Sequence, residues 1–79
     1  MSVGKVREFD IKNGNWSAYI DRVEMYFVSN KITVDLKLPT LIALIGEEAY
    51  ELLSTLTSPR KPSELSYDEA VNITQTFTT

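Results

Sequence analysis

A chain of 79 residues has room for one domain, and a domain this short buries only about 60% of the surface its unfolded chain exposes. It contains no cysteine, which excludes disulfides and thiolate metal sites, and no histidine, which removes the commonest metal ligand and the usual general base at neutral pH. Eight basic residues against eleven acidic ones leave a net charge of −3, and the basic ones are scattered, which argues against nucleic-acid binding by this segment.

No apolar run approaches the roughly 20 residues that span a bilayer, and Met1 to Asp10 has no apolar stretch of signal-peptide length. A cytoplasmic location is the expectation. The sequons Asn15-Trp16-Ser17 and Asn72-Ile73-Thr74 then carry no meaning. A hydrophobic fraction of 43% is ordinary for a globular domain, so stability has to come from packing.

Residues 1–14 read as an extended lead-in that packs on the body. Val3, Val6 and Phe9 are its apolar points, Ile11 adds to them, and Asn13-Gly14 signals a turn. A first helix is expected over about 15–30, with Asn15 as N-cap. Trp16, Tyr19, Ile20, Val23, Tyr26 and Phe27 recur at helical spacing on one face. Met25 and Val28 fall off that stripe. Scattered exposed apolar residues are normal, but with Ala18 they also suit a packing surface.

A second helix is expected over about 36–45. Proline is tolerated in a first turn, so Pro39 places the start nearby. The run Leu41 to Ile45 is apolar all round, as a buried helix requires. Gly46 breaks it, and Glu47 and Glu48 suit the first turn of a third helix, 47–57, with a stripe of Ala49, Leu52, Leu53 and Leu56. Ser58-Pro59-Arg60-Lys61-Pro62-Ser63 is a loop, either a solvated turn or a partner contact.

The fourth helix, 67–78, has the clearest start. Ser66-Tyr67-Asp68-Glu69 matches a capping box, with Leu65 and Ala70 at the staple positions. Ala70, Val71, Ile73, Thr74 and Phe77 supply its inward face. The chain reaches Thr79 without a glycine cap or a proline stop, as expected where a further segment follows. The pattern is all-α, a small bundle of four helices over 15–79 behind the lead-in. Its expected core is Trp16, Ile20, Val23, Phe27, Leu41, Leu44, Leu52, Leu53, Leu56, Val71 and Phe77.

Catalytic chemistry finds little to use here. Glu47, Glu48, Glu51, Asp68 and Glu69 could form acid–base pairs, but all lie at helix starts or on polar faces, where carboxylates serve as solvated caps. Gly4, Gly14 and Gly46 are isolated and form no phosphate loop. Tyr19, Tyr26, Tyr50 and Tyr67 lack interleaved basic residues, so core and interface roles suit them better than base stacking. No catalytic residue, cofactor or metal is expected.

The run Phe9-Asp10, then Trp16-Ser17-Ala18-Tyr19-Ile20-Asp21-Arg22-Val23-Glu24-Met25-Tyr26-Phe27, resembles the opening of Gag polyproteins of gypsy-type LTR retrotransposons. Leu38 to Gly46, Ala49 to Leu53, Ser58 to Ser63 and Tyr67-Asp68-Glu69 are similar to that family's later helices and loop. Met1-Ser2-Val3-Gly4 also looks like the start of such a Gag. The resemblance covers about residues 4–77 and rests on order and spacing together.

It implies a capsid N-terminal lobe: a structural protein, not an enzyme, whose partners are other copies of itself in a virus-like shell around the element's RNA. RNA binding would belong to a downstream zinc-knuckle region, not to this segment. Weak association through the outer side of the first helix is the expectation. Ala18, Arg22, Met25 and Ser29 line a strip there, and Arg22 could pair with Glu47 or Glu48 of another copy. The domesticated relative Arc binds peptides in a hydrophobic groove of the same lobe, which implies the alternative, peptide ligands. Val6, Phe9 and Ile11 should pack on the body, with Phe9 inserted between helices in the region where the Arc lobe takes peptides; the peptide-binding alternative expects an empty apolar groove instead.

Overall fold

The structure, a computed structural model, describes residues 6–78. Val3 of the lead-in and the terminal Thr79 lie outside them. Four α-helices follow one another, α1 Trp16–Ser29, α2 Val34–Ile45, α3 Glu47–Thr57 and α4 Tyr67–Thr78, with a 3-10 turn at Pro62–Glu64 and no strand among the described residues. The chain is an all-α bundle, as its periodicity predicts. α4 is the shared element: it packs against α1, α2 and α3, whereas α1 and α3 make little direct contact.

The ends of α1 follow from side-chain and backbone chemistry. The Asn15 carboxamide oxygen accepts from the Ala18 backbone N–H at 3.0 Å, satisfying one of the donors a helix start leaves open. At the other end Lys31 adopts a left-handed conformation (φ 54°). Its N–H reaches the Val28 carbonyl, and the Ile32 N–H reaches that of Phe27. This is the doubly bonded helix stop in which glycine is usual and Lys31 stands instead.

α2 begins at Val34, two residues before the expected start, so Pro39 lies in its second turn. The proline rule misplaced the start because the missing N–H is tolerable here. Its partner would be the carbonyl of Asp35, an exposed residue that water can serve. Thr33 precedes the helix in extended conformation, and its hydroxyl donates to Asp35 Oδ1 at 2.6 Å.

α4 starts as its sequence dictates. The Ser66 N–H donates to Glu69 Oε1 at 2.9 Å and the Glu69 N–H to Ser66 Oγ at 3.1 Å. The backbone bond from Ser66 holds the Glu69 carboxyl below its ordinary range.

The core is Phe9, Trp16, Val23, Phe27, Leu41, Ile45, Ala49, Leu53, Leu65 and Ala70, with Ile20, Leu44 and Val71 packed partly buried at its edge. Leu52 is likewise half-buried. Two expected core residues are not core: Leu56 is 38% and Phe77 53% exposed. On α3 the buried line is Ala49, Leu53 and Thr57, one step round the helix from the line through Leu52 and Leu56. On α4 only Ala70 and Thr74 are buried, small residues that admit close helix approach, and Phe77 falls in the last turn. Thr74 spends its hydroxyl on the Ala70 carbonyl at 3.0 Å, which makes its burial inexpensive.

Candidate functional site: the lead-in cleft and the open face of α1

The lead-in is part of the bundle. Phe9 is 5% exposed, and its ring meets Trp16 at 4.9 Å and Tyr19 at 5.3 Å between centroids, both edge to face. Val6 and Ile11 pack half-buried against the same core. The docking site arises because Gly46 interrupts the chain between α2 and α3. That break leaves the last carbonyls of α2 without helical partners. The Phe9 N–H takes the Ile45 carbonyl at 3.0 Å, and the Tyr19 hydroxyl takes that of Leu44 at 3.1 Å. Burial, with the Glu8 carboxylate nearby, pushes the Tyr19 phenol up to about 12.

Two glycines make room for this segment. A Cβ on Gly46, which has φ 87°, would lie 2.6 Å from the Glu8 side chain. A Cβ on Gly14 would lie 2.5 Å from the Asp10 carbonyl oxygen and 2.6 Å from the Phe9 ring. The turn from Asp10 to Gly14 is closed by the Gly14 N–H on the Asp10 carbonyl at 2.7 Å. The Asp10 carboxylate also accepts from the backbone of Lys12 and Asn13. These bonds, that of Asn13 first, hold the Asp10 carboxyl below its ordinary range.

The residues expected to meet other copies form an open strip. Ala18, Arg22, Met25 and Ser29 are all exposed on α1, Met25 at 62%, and Val28 beside them is 73% exposed. Glu47 and Glu48 are exposed in the first turn of α3. The structure does not bring Arg22 and these glutamates together within one chain, since α1 and α3 scarcely touch. Each set remains open to a different molecule.

A polar cluster at the α1–α2–α4 junction escaped the sequence reading. The Tyr67 hydroxyl donates to Glu24 Oε2 at 2.7 Å, and Lys37 lies 3.6 Å from Glu24 Oε1. The Lys37 ammonium stands 5.6 Å from the Phe27 ring centroid and 5.7 Å from that of Tyr67. Burial, then the bond to Glu24, pushes the Tyr67 phenol upward. The spacing on α1 sets Glu24 away from the apolar stripe, yet it is half-buried here, and nothing in the sequence paired it with α4.

Among the described residues no group of three or more acidic side chains converges as a metal ligand set, and no helix is long and apolar enough to cross a membrane. Comparisons with protein-family models, curated proteins and solved structures found no match.

Proposed function

We propose that this chain is a capsid-type structural lobe that associates with copies of itself, the N-terminal lobe of a retrotransposon Gag shell around the element's RNA. The observation that carries the reading is the unpaired complementarity of α1 and α3. α1 presents Arg22 among Ala18, Met25 and Ser29, while α3 presents Glu47 and Glu48, on helices that make little direct contact. A contact between two different patches is head-to-tail, and repetition of it builds a ring where the rotation closes and an open filament where it does not. Such a contact is small and partly polar, hence weak singly and effective when many copies act together. The resemblance of residues 4–77 to Gag openings supports the same reading.

The peptide-binding alternative meets Phe9 in the cleft, where the chain's own side chain takes the apolar site. A peptide there would first have to displace the lead-in.

Sedimentation velocity of the wild type and of Met25→Glu tests the proposal. The wild type should show reversible association that grows with concentration and weakens as salt screens Arg22 from the glutamates. Met25→Glu should lack that salt-sensitive component. A stable dimer on a large apolar interface in its place would contradict the weak-contact reading.

A further inference from the structure

Asn13 is chemically unlike the other asparagines of this chain. The backbone nitrogen that follows an asparagine can attack its carboxamide carbon, and a side chain on that next residue obstructs the approach. Of Asn13, Asn15, Asn30 and Asn72, only Asn13 precedes glycine; the others precede Trp16, Lys31 and Ile73. The Asn15 carboxamide oxygen accepts from the Ala18 N–H, and the Asn30 side-chain amide donates to the Tyr26 carbonyl at 2.9 Å. Asn72 lies inside α4. Asn13 and Gly14 are both exposed, and among the described residues the Asn13 side-chain amide reaches only Asp10 Oδ2, at 3.4 Å.

The fold demands this reactive pair. A Cβ at position 14 would overlap the Asp10 carbonyl oxygen and the Phe9 ring, so any residue but glycine there disturbs the seat of Phe9. The same turn restrains the reaction. The Gly14 N–H is held by the Asp10 carbonyl at 2.7 Å, and its nitrogen becomes a nucleophile only when that bond opens.

We propose that Asn13-Gly14 is a site of spontaneous deamidation, slowed while the lead-in is docked, and that its products loosen the lead-in from the bundle. The Gly14 nitrogen forms a bond to Asn13 Cγ, the Cγ–Nδ2 bond breaks, and Nδ2 leaves as ammonia with the proton from Gly14. Water opens the resulting cyclic imide at either carbonyl, giving aspartate or isoaspartate. Both products add a carboxylate beside that of Asp10 and lose the amide that donated to it, so like charges meet in the turn. Isoaspartate also carries an extra main-chain carbon between Phe9 and Trp16, whose ring centroids lie 4.9 Å apart. The inference does not depend on the capsid reading.

Incubation at mildly alkaline pH, followed by peptide mapping with mass spectrometry, tests the site against the same chain unfolded in guanidinium chloride. Both should exchange NH for oxygen at Asn13 before any other asparagine, the folded chain at least tenfold more slowly. Hydrogen exchange then reads the consequence. The Phe9 N–H, bonded to the Ile45 carbonyl at 3.0 Å, should exchange at least tenfold faster in the isoaspartate form than in unconverted protein. Asn13→Gln, whose longer side chain closes a larger ring more slowly, should stay unconverted with Phe9 protected. No conversion at Asn13 in the folded chain, another asparagine converting first, or equal rates folded and unfolded overturns the proposal. An equally protected Phe9 N–H in the converted protein overturns it too.

Discussion

Phe9→Ala measures how far the lead-in belongs to the folding unit. The ring is 5% exposed and touches two aromatic neighbours edge to face, contacts worth about 0.5–1.5 kcal/mol each beyond area burial. Truncating a buried phenylalanine costs about 3–5 kcal/mol, cavity included. A chain of this length has roughly 4–12 kcal/mol of stability in total, from about 0.05–0.15 kcal/mol per residue. The substitution therefore removes a large share of it. At about 4–8 °C per kcal/mol for small domains, a loss near the lower bound lowers Tm by roughly 12–24 °C. Urea unfolding followed by the fluorescence of Trp16, the sole tryptophan and a direct neighbour of the ring, is the assay. Arg7→Ala, at an exposed position of the same segment, is the control and should stay within about 0.5 kcal/mol. A Phe9→Ala protein as stable as that control would refute the claim that residues 6–11 are built into the core.

Gly46→Ala forces a Cβ into Glu8 at a left-handed backbone position and should cost about 1–3 kcal/mol, read as a lower Tm. Lys31→Gly relieves a left-handed lysine and should add about 1 kcal/mol in the same assay. Asp10 and Glu69 have carboxyl pKa values below their ordinary 3.8 and 4.5, so their contribution is complete above those values and is lost as pH falls through the lowered ones. Acid unfolding of Asp10→Asn and Glu69→Gln should therefore be less steep than that of the wild type. Tyr19 carries the opposite sign. With its phenol raised from 10.0 to about 12, its share of stability holds below pH 10.0 and is lost as pH rises towards 12. Ultraviolet titration should find two tyrosines ionising late, Tyr19 and Tyr67, and Tyr19→Phe should remove one of them.

The elements most legible in the sequence were those whose determinants are local. Asn15, the Ser66–Glu69 box and the break at Gly46 each act within a few residues, and the structure uses all three. The start of α2 was misplaced because whether a lost proline bond matters depends on where the matching carbonyl lies. The buried line of α3 was off by one step for a tertiary reason. Leu52, Leu53 and Leu56 span a wide arc, and the small residues Ala70 and Thr74 on α4 fit the line through Ala49 and Leu53. Phe77 shows the same limit, since hydrophobicity alone does not say that a side chain lies in the last turn beside another exposed apolar residue, Leu56. The exposed strip of α1 was readable because Met25 and Val28 break the stripe.

The capsid reading rests most directly on Arg22 of one copy meeting Glu47 and Glu48 of the next, and a charge-exchange experiment isolates that pairing. Sedimentation velocity in low salt would compare Arg22→Glu, the double variant Glu47→Arg with Glu48→Arg, and their equimolar mixture. The head-to-tail contact predicts that each variant alone lacks the salt-sensitive association of the wild type and that the mixture regains it. Variants that associate like the wild type, or a mixture no more associated than its parts, would contradict it.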